Sequence, residues 1–151
     1  MIVDIEYKEI LRFWQRSDMW GNYEHNQINP YTYDGVYDES IKFSIPTFYG
    51  FIENDKIVGV NSFYHTNSNE CRSRGLYVLP EYRKNGIAET LLRSAIEINS
   101  DGGYEFIWSK PRVTAQKAYQ NAGFSITSGV FNKNPDGSST YHNNVMCKYV
   151  Y

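Results

Sequence analysis

An apolar run, a proline, a short polar loop and an amphipathic helix follow one another in the middle of this 151-residue chain. The run ends at Leu79-Pro80, and the loop contains Gly86. An apolar stripe with helical spacing then predicts the helix; it consists of Ile87, Ala88, Leu91, Leu92, Ala95 and Ile96, and Asp101-Gly102-Gly103 ends it. A glycine loop that opens a helix points backbone N–H groups and the positive end of the helix dipole at one place. The segment therefore predicts a phosphate-binding site.

The loop pattern Arg83-x-x-Gly86-x-Ala88 differs from the two commonest phosphate loops, G-x-G-x-x-G and G-x-x-x-x-G-K-[ST]. Gly86 has no side chain and Ala88 a small one, so the backbone amides of this loop can surround a diphosphate. These amides belong to Lys84, Asn85, Gly86, Ile87 and Ala88. Cationic side chains can add charge-assisted hydrogen bonds; they are Arg83, Lys84, Arg112 and Lys117. The alternative is a helix cap that only requires a glycine.

The loop resembles the Q/R-x-x-G-x-G/A loop of the GNAT superfamily of acyl-CoA-dependent N-acyltransferases, which holds the pyrophosphate of coenzyme A. Members of that family carry A-x-x-x-Y on a later helix, followed by Gly-Phe, and here Ala115-x-x-x-Tyr119 precedes Gly123-Phe124. The resemblance covers about residues 70 to 131. It implies acetyl-CoA as co-substrate and direct transfer of its acetyl group to a primary amine, on a small molecule or on a protein lysine or N-terminus.

The resemblance also implies roles for individual residues. The strand before the loop, here Leu76, Tyr77 and Val78, is expected to bulge, to separate from its neighbour and to bind the pantetheine arm as an added strand would. An N–H group near Val78 is expected to stabilise the oxyanion of the reaction. Ala115 and Tyr119 are expected to contact the cofactor, and Tyr119 to protonate the departing thiolate.

Two further features bear on this chemistry. Many family members have an asparagine seven residues before the tyrosine, whereas this chain has Arg112, which can reach a phosphate instead. The amine must also lose a proton, and Glu70, directly or through a water, and His65 are the competing candidate bases. The histidines and cysteines show no metal-ligand spacing, so no metal is expected.

The remaining pattern predicts one domain over residues 1–151. Helices are predicted over residues 7–16, from 87 to the stop at 101, and over 113–122, with Gly123 as the cap of the third. Strands are predicted over residues 47–53, 57–65, 70–79, 104–108, 124–131 and 141–150. Turns are predicted at Asn54-Asp55 and at Asn134-Pro135-Asp136-Gly137. This order favours an α+β fold, a mixed and mostly antiparallel sheet with helices on both faces. The last strand is expected at an exposed edge, which would allow a homodimer.

Composition narrows the partners. A net charge of −2 indicates no general attraction to nucleic acid. No apolar run has membrane-spanning length and no signal peptide is recognised, so no membrane is expected. The two cysteines, Cys71 and Cys147, are compatible with a reducing compartment, and a cytoplasmic location is expected. An acidic group formed by Asp34, Asp38 and Glu39 suggests a cationic acceptor.

Two other functions stay open at this point. One is a catalytically inactive acyl-CoA-binding module that acts as a sensor or scaffold. The other is a nucleotide-binding protein that uses the same loop.

Overall fold

The computed structural model describes residues 1–16, 46–65, 68–111, 113–133 and 139–151. Its strands are β1 (Ile2–Asp4), β2 (Thr47–Glu53), β3 (Lys56–His65), β4 (Glu70–Val78), β5 (Phe106–Ser109), β6 (Ser125–Lys133) and β7 (Ser139–Val150). Its α-helices are α1 (Tyr7–Trp14), α2 (Ile87–Ile98) and α3 (Gln116–Asn121). Short 3₁₀ turns occur at Pro80–Tyr82, Ser100–Gly102 and Val113–Ala115.

The strands form one open sheet in the order β1-β2-β3-β4-β5-β7-β6. Every neighbouring pair is antiparallel except β4 and β5, which are parallel. The predicted mixed and mostly antiparallel sheet is therefore confirmed. The predicted hairpin tip is also confirmed, because Asn54 and Asp55 join β2 to β3 with φ values of 51° and 60°. Two consecutive left-handed residues suit the twist of a two-residue hairpin.

Helices α1 and α2 lie on opposite faces of the sheet, as predicted. On the α1 face, the Trp14 ring lies 6.2 Å from the ring of Phe48. On the other face, the hydroxyl of the next residue, Tyr49, donates a hydrogen bond to the Leu91 carbonyl of α2. Successive side chains of a strand point to opposite faces, so β2 carries both helices on its two sides. None of the described helices has the length and apolarity needed to cross a membrane.

The expectation of an exposed last strand is wrong. Strand β7 pairs with β5 on one side and with β6 on the other, so β1 and β6 are the edges of the described sheet. Strand β6 comes earlier in the chain but lies at the edge of the sheet, and β7 lies between β6 and β5. Strand β1 was not predicted from the sequence, because three residues are too few to show a periodic pattern. The predicted turn at residues 134–137 lies outside the described residues.

Candidate active site

Strands β4 and β5 separate after a short paired stretch. Their last parallel pair is Arg72 with Trp108, and beyond it β4 continues along β3 alone as far as Val78. The N–H of Leu79 donates to the Val58 carbonyl of β3, at 2.9 Å. Because backbone groups alternate sides along a strand, the N–H and C=O of Val78 point away from β3, into the gap that β5 leaves.

A bulge bends β4 within the stretch that faces this gap. Val60 pairs with Tyr77 but Ser62 pairs with Arg74, so β4 contains one residue more than β3 over this stretch. Gly75 has φ +76°, and a Cβ there would overlap the Trp14 ring of α1. The Trp14 indole N–H donates to the Gly75 carbonyl at 2.9 Å. The bulge and the separation expected from the resemblance are both present, and α1 holds the bulge in place.

The phosphate-loop candidate opens helix α2 without a side-chain cap. Gly86 is the N-cap residue, with φ +76°, and Lys84 is also left-handed, with φ 65°. A Cβ on Gly86 would meet no atom within 4 Å, so open space lies in front of the first turn of α2. Ile87 is buried beneath the loop, and Ala88 is half-buried. An uncapped helix start beside a small-residue loop fits a diphosphate.

The cationic candidates around the loop have different surroundings. The Arg83 Nε donates to the Val78 carbonyl at 2.8 Å, and its guanidinium lies 5.2 Å from the centre of the Tyr77 ring. Arg83 therefore lies on the β4 backbone, at a carbonyl that faces the gap. The side chains of Lys84 and Lys117 are exposed, while Asn85 donates to the Tyr82 carbonyl. Arg112 lies outside the described residues.

The hydroxyl of Tyr119 lies where β4 and β5 part. Its oxygen is 3.2 Å from Ser73 Oγ and 3.0 Å from Ser109 Oγ. Ser73 and Ser109 directly follow Arg72 and Trp108, the last paired residues of the two strands. Burial raises the pKa of Tyr119 to about 12, although the hydrogen bonds with Ser109 and Ser73 act in the opposite direction. At neutral pH this phenol is protonated.

A helix cap holds Tyr119 in this position. The N–H of Phe124 donates to the Tyr119 carbonyl and the N–H of Gly123 to the Gln120 carbonyl, both at 3.0 Å, which is the Schellman pattern. Gly123 has φ +102°, as predicted for the cap, and the Phe124 ring packs edge-on against the Tyr119 ring at 5.0 Å. The Gly-Phe step thus anchors the tyrosine.

The predicted third helix is α-helical only in part. Its first residues, Val113–Ala115, form a 3₁₀ turn, and the α-helix begins at Gln116. Ala115, predicted to contact the cofactor, is half-buried at the end of that 3₁₀ turn.

The structure does not bring the two candidate bases to the Tyr119 hydroxyl. Glu70 lies on β4 three residues before Ser73, so strand alternation puts its side chain on the opposite face of the sheet. The His65 ring stacks on Tyr104 at 4.5 Å, and its Nδ1 lies 3.2 Å from the Tyr104 hydroxyl. A base role for either residue stays a prediction.

Sequence reasoning missed four polar residues that surround Tyr119 or support its partners. They are Tyr49, Asn61, Ser73 and Ser109, and each is buried. The available signal was the presence of these polar residues within predicted strands or, for Ser109, directly after one. That signal could not reveal that the four residues meet, because they come from four different strands.

Comparison of the chain with known protein families and solved structures agrees with this architecture. The model of the acetyltransferase (GNAT) family matches residues 7–124, which is well over half of the chain. No curated protein matches the sequence significantly.

Several solved structures share the fold. A GNAT-family acetyltransferase from Staphylococcus aureus Mu50 has a TM-score of 0.68 and 20% identity, over 99% of both chains. The ribosomal-protein-S18-alanine N-acetyltransferase of Escherichia coli has a TM-score of 0.67 and 15% identity, over 99% of this chain and 92% of that one. The aminoglycoside acetyltransferase AAC(6')-Ib, in complex with coenzyme A and kanamycin, has a TM-score of 0.65 and 15% identity, over 99% and 94%. Since the family model matches and these structures share the sheet and its helices, the chain belongs to the GNAT acetyltransferase family.

Proposed function

We propose that this protein transfers the acetyl group of acetyl-CoA to a primary amine by direct attack, without an acyl-enzyme. The observation that carries the proposal is the position of the Tyr119 hydroxyl at the fork between β4 and β5. The β4 backbone that faces the gap runs from this fork toward the loop at Gly86. One end of the gap thus offers amides for a diphosphate and the other a phenol for the reacting group.

Three parts of the chain would hold the co-substrate. The amides from Lys84 to Ala88 would bind its pyrophosphate. The Val78 N–H and C=O would bind the pantetheine arm by strand addition. Arg83 Nε already donates to the Val78 carbonyl, whose second lone pair can accept a hydrogen bond from a pantetheine amide. When bound, acetyl-CoA supplies an acyl group activated as a thioester.

Tyr119 acts mainly as a hydrogen-bond donor in this proposal. Burial raises its pKa to about 12, and even in water a phenol, with a pKa of about 10, is a weaker acid than a thiol, with a pKa of about 8.5. Complete proton transfer from the phenol to the thiolate is therefore uphill by about 2 kcal/mol in water. A neutral phenol can still stabilise negative charge that develops on the neighbouring sulfur. The proton that the attacking amine releases then accounts for the proton that the departing thiolate gains.

The acceptor is proposed only as a primary amine. Two of the similar structures belong to enzymes named for aminoglycosides and for an alanine of a ribosomal protein, so the fold accommodates both small and protein acceptors. The sequence hint of a cationic acceptor depends on Asp34, Asp38 and Glu39, which lie outside the described residues.

Thermal unfolding with acetyl-CoA, free coenzyme A and ATP tests the proposal first. We expect acetyl-CoA and coenzyme A to raise the unfolding temperature and ATP to have a smaller effect. Equal protection by ATP would support a nucleotide-binding protein instead. Release of free thiol in the presence of an amine panel is the second measurement. Binding of coenzyme A without acetylation of any amine would favour the inactive acyl-CoA-binding module.

A further inference from the structure

A continuous set of hydrogen bonds crosses the α2 face of the sheet and ends at Tyr119. It joins side chains from β2, β3, β4, β5 and α3, each at most 4% exposed. Its members are Tyr49, Asn61, Ser73, Ser109 and Tyr119. We refer to these five residues as the tyrosine network.

The first bond of the network has a fixed direction. The Tyr49 hydroxyl lies 2.7 Å from the Leu91 carbonyl oxygen of α2. A carbonyl can only accept, so Tyr49 must donate its single proton to Leu91. The Tyr49 oxygen is then available only as an acceptor for the next group.

This direction determines how the Asn61 amide is oriented. Its Nδ2 donates to the Tyr49 oxygen at 2.8 Å and to Ser73 Oγ at 2.9 Å. The reverse orientation would set the amide oxygen against the Tyr49 lone pairs, with no proton between them. Both protons of the amide nitrogen are thus used, and the Ser73 oxygen becomes an acceptor.

The same argument extends to Tyr119. Ser73 Oγ accepts from Asn61, so its own proton is available for the Tyr119 oxygen at 3.2 Å. Ser109 Oγ lies 2.8 Å from the Ser73 carbonyl, which can only accept. When Ser109 donates to that carbonyl, the Tyr119 proton is left for Ser109 Oγ or for a group in the gap.

We propose that Asn61 is a positioning residue for acetyl transfer, because through Ser73 it makes the Tyr119 oxygen an acceptor and leaves the Tyr119 proton for Ser109 Oγ or for a group in the gap. The inference rests on the proposed function for its kinetic consequence. A second observation supports it: among the described residues, the buried Oδ1 of Asn61 has no hydrogen-bond partner. A buried unsatisfied oxygen is unfavourable, so packing alone would favour an apolar residue at this position.

The test is the near-isosteric change Asn61→Asp. Burial raises the pKa of the introduced carboxyl group, and above that pKa the carboxylate only accepts, so Ser73 would donate to it and Tyr119 would donate inward to Ser73. We expect kcat to fall about tenfold or more, with less than a twofold change in KM for acetyl-CoA. The ratio of wild-type kcat to variant kcat should decrease toward one as pH falls, because the introduced carboxyl group regains a hydrogen-bond donor when it is protonated.

A readout that needs no acceptor accompanies the kinetics. With ¹³Cζ-labelled tyrosine, the Tyr119 resonance is assigned by its loss in Tyr119→Phe. We expect it to move in Asn61→Asp and to return toward the wild-type position at low pH. The matched control is Asn99→Asp, another buried asparagine, whose Nδ2 donates to the Ala95 carbonyl outside the network. That variant should leave the Tyr119 resonance unchanged; it is compared on the resonance alone, because Asn99 Oδ1 lies 3.5 Å from Nε2 of His65, a candidate base.

Ser73→Ala gives a second test if Asn61→Asp does not fold. It removes the donor to Tyr119, and we expect a similar loss of kcat and a shifted Tyr119 resonance. An unchanged Tyr119 resonance in these variants, or an equal shift of that resonance in Asn99→Asp, would overturn the inference. If the wild-type protein acetylates no amine, the proposed function fails, while the resonance still decides the orientation of the Tyr119 proton.

Discussion

The Tyr119 hydroxyl oxygen lies 3.2 Å from Ser73 Oγ, at the first residue of β4 that has left β5. One bond thus links the phenol proposed for catalysis to the point where the sheet opens. The backbone carbonyl of the same serine accepts from Ser109, the first residue of β5 beyond the last parallel pair. Ser73 and Ser109 therefore contact both the opening of the sheet and the Tyr119 hydroxyl, and a change in one is expected to affect the other.

Replacing Tyr119 by phenylalanine should remove the proton donor and keep the ring packed on Phe124. We expect kcat to fall about 100-fold, with less than about a threefold change in the Kd for coenzyme A. Thiol release and calorimetric binding provide the two measurements. Tyr151→Phe is the matched control, because the Tyr151 hydroxyl bonds the Ile96 carbonyl away from the fork. A Tyr119→Phe enzyme with normal kcat would rule out the proposed role.

Gly86→Ala should weaken coenzyme A binding, and Gly103→Ala should not. The two glycines have similar φ values, +76° and +73°, and a Cβ at either would meet no atom within 4 Å. Each alanine therefore carries the same backbone penalty of about 1–2 kcal/mol. Only at Gly86 does the new methyl group enter the space proposed for a diphosphate. We expect at least a tenfold rise in Kd for Gly86→Ala alone, and equal effects of both changes on Kd would contradict the assignment of the loop.

Gly75→Ala should destabilise the protein more than Gly103→Ala does. Both positions have positive φ, but a Cβ at Gly75 would also overlap the indole ring of Trp14. The backbone penalty and the overpacking together predict a loss of about 3 kcal/mol or more in the free energy of unfolding. Urea unfolding measures the loss. A loss no larger than that of Gly103→Ala would show that the Trp14 contact does not constrain the bulge.

The protein should lose stability as pH rises above about 9. Burial raises the pKa of both Cys71 and Cys147 from 9.0 to about 12. The unfolded thiols lose their protons first, so between these values the folded state binds more protons and the free energy of unfolding falls with pH. Each thiol contributes a slope of about 1.4 kcal/mol per pH unit once its unfolded form is ionised.

Urea unfolding between pH 8 and pH 11 measures this slope. Cys71→Ala should make it shallower by the contribution of one thiol, whatever its effect on stability at pH 8. A slope unchanged by Cys71→Ala would mean that this thiol titrates alike in both states.

Local patterns predicted the loop and its neighbours well. The stripe of α2, the Asn54-Asp55 turn and the Gly123 cap depend on residues within a few positions of one another, so a sequence pattern records them directly. Arg83 shows the limit of that reasoning. Its pattern predicts a phosphate ligand, which stays a prediction. The hydrogen bond from its Nε to the Val78 carbonyl could not be predicted, since only the folded β4 brings that acceptor within reach.

The order of strands could not be read from their order in the chain. Strand β7 comes last but lies between β5 and β6, and no residue of β7 by itself specifies that insertion. The position results from the pairing of β7 with β5, whose paired residues lie about forty positions apart along the chain. The same holds for Asn61, whose role depends on neighbours from other strands.

By itself, the sequence determined where a helix begins with open amides, which tyrosine follows it and which fold class joins them, because these features depend on short-range spacing. Tertiary structure decided where β4 opens, that Trp14 holds its bulge, and which hydroxyls surround Tyr119. These features require side chains from distant segments to meet at hydrogen-bond distance, and spacing along the chain carries no record of such contacts.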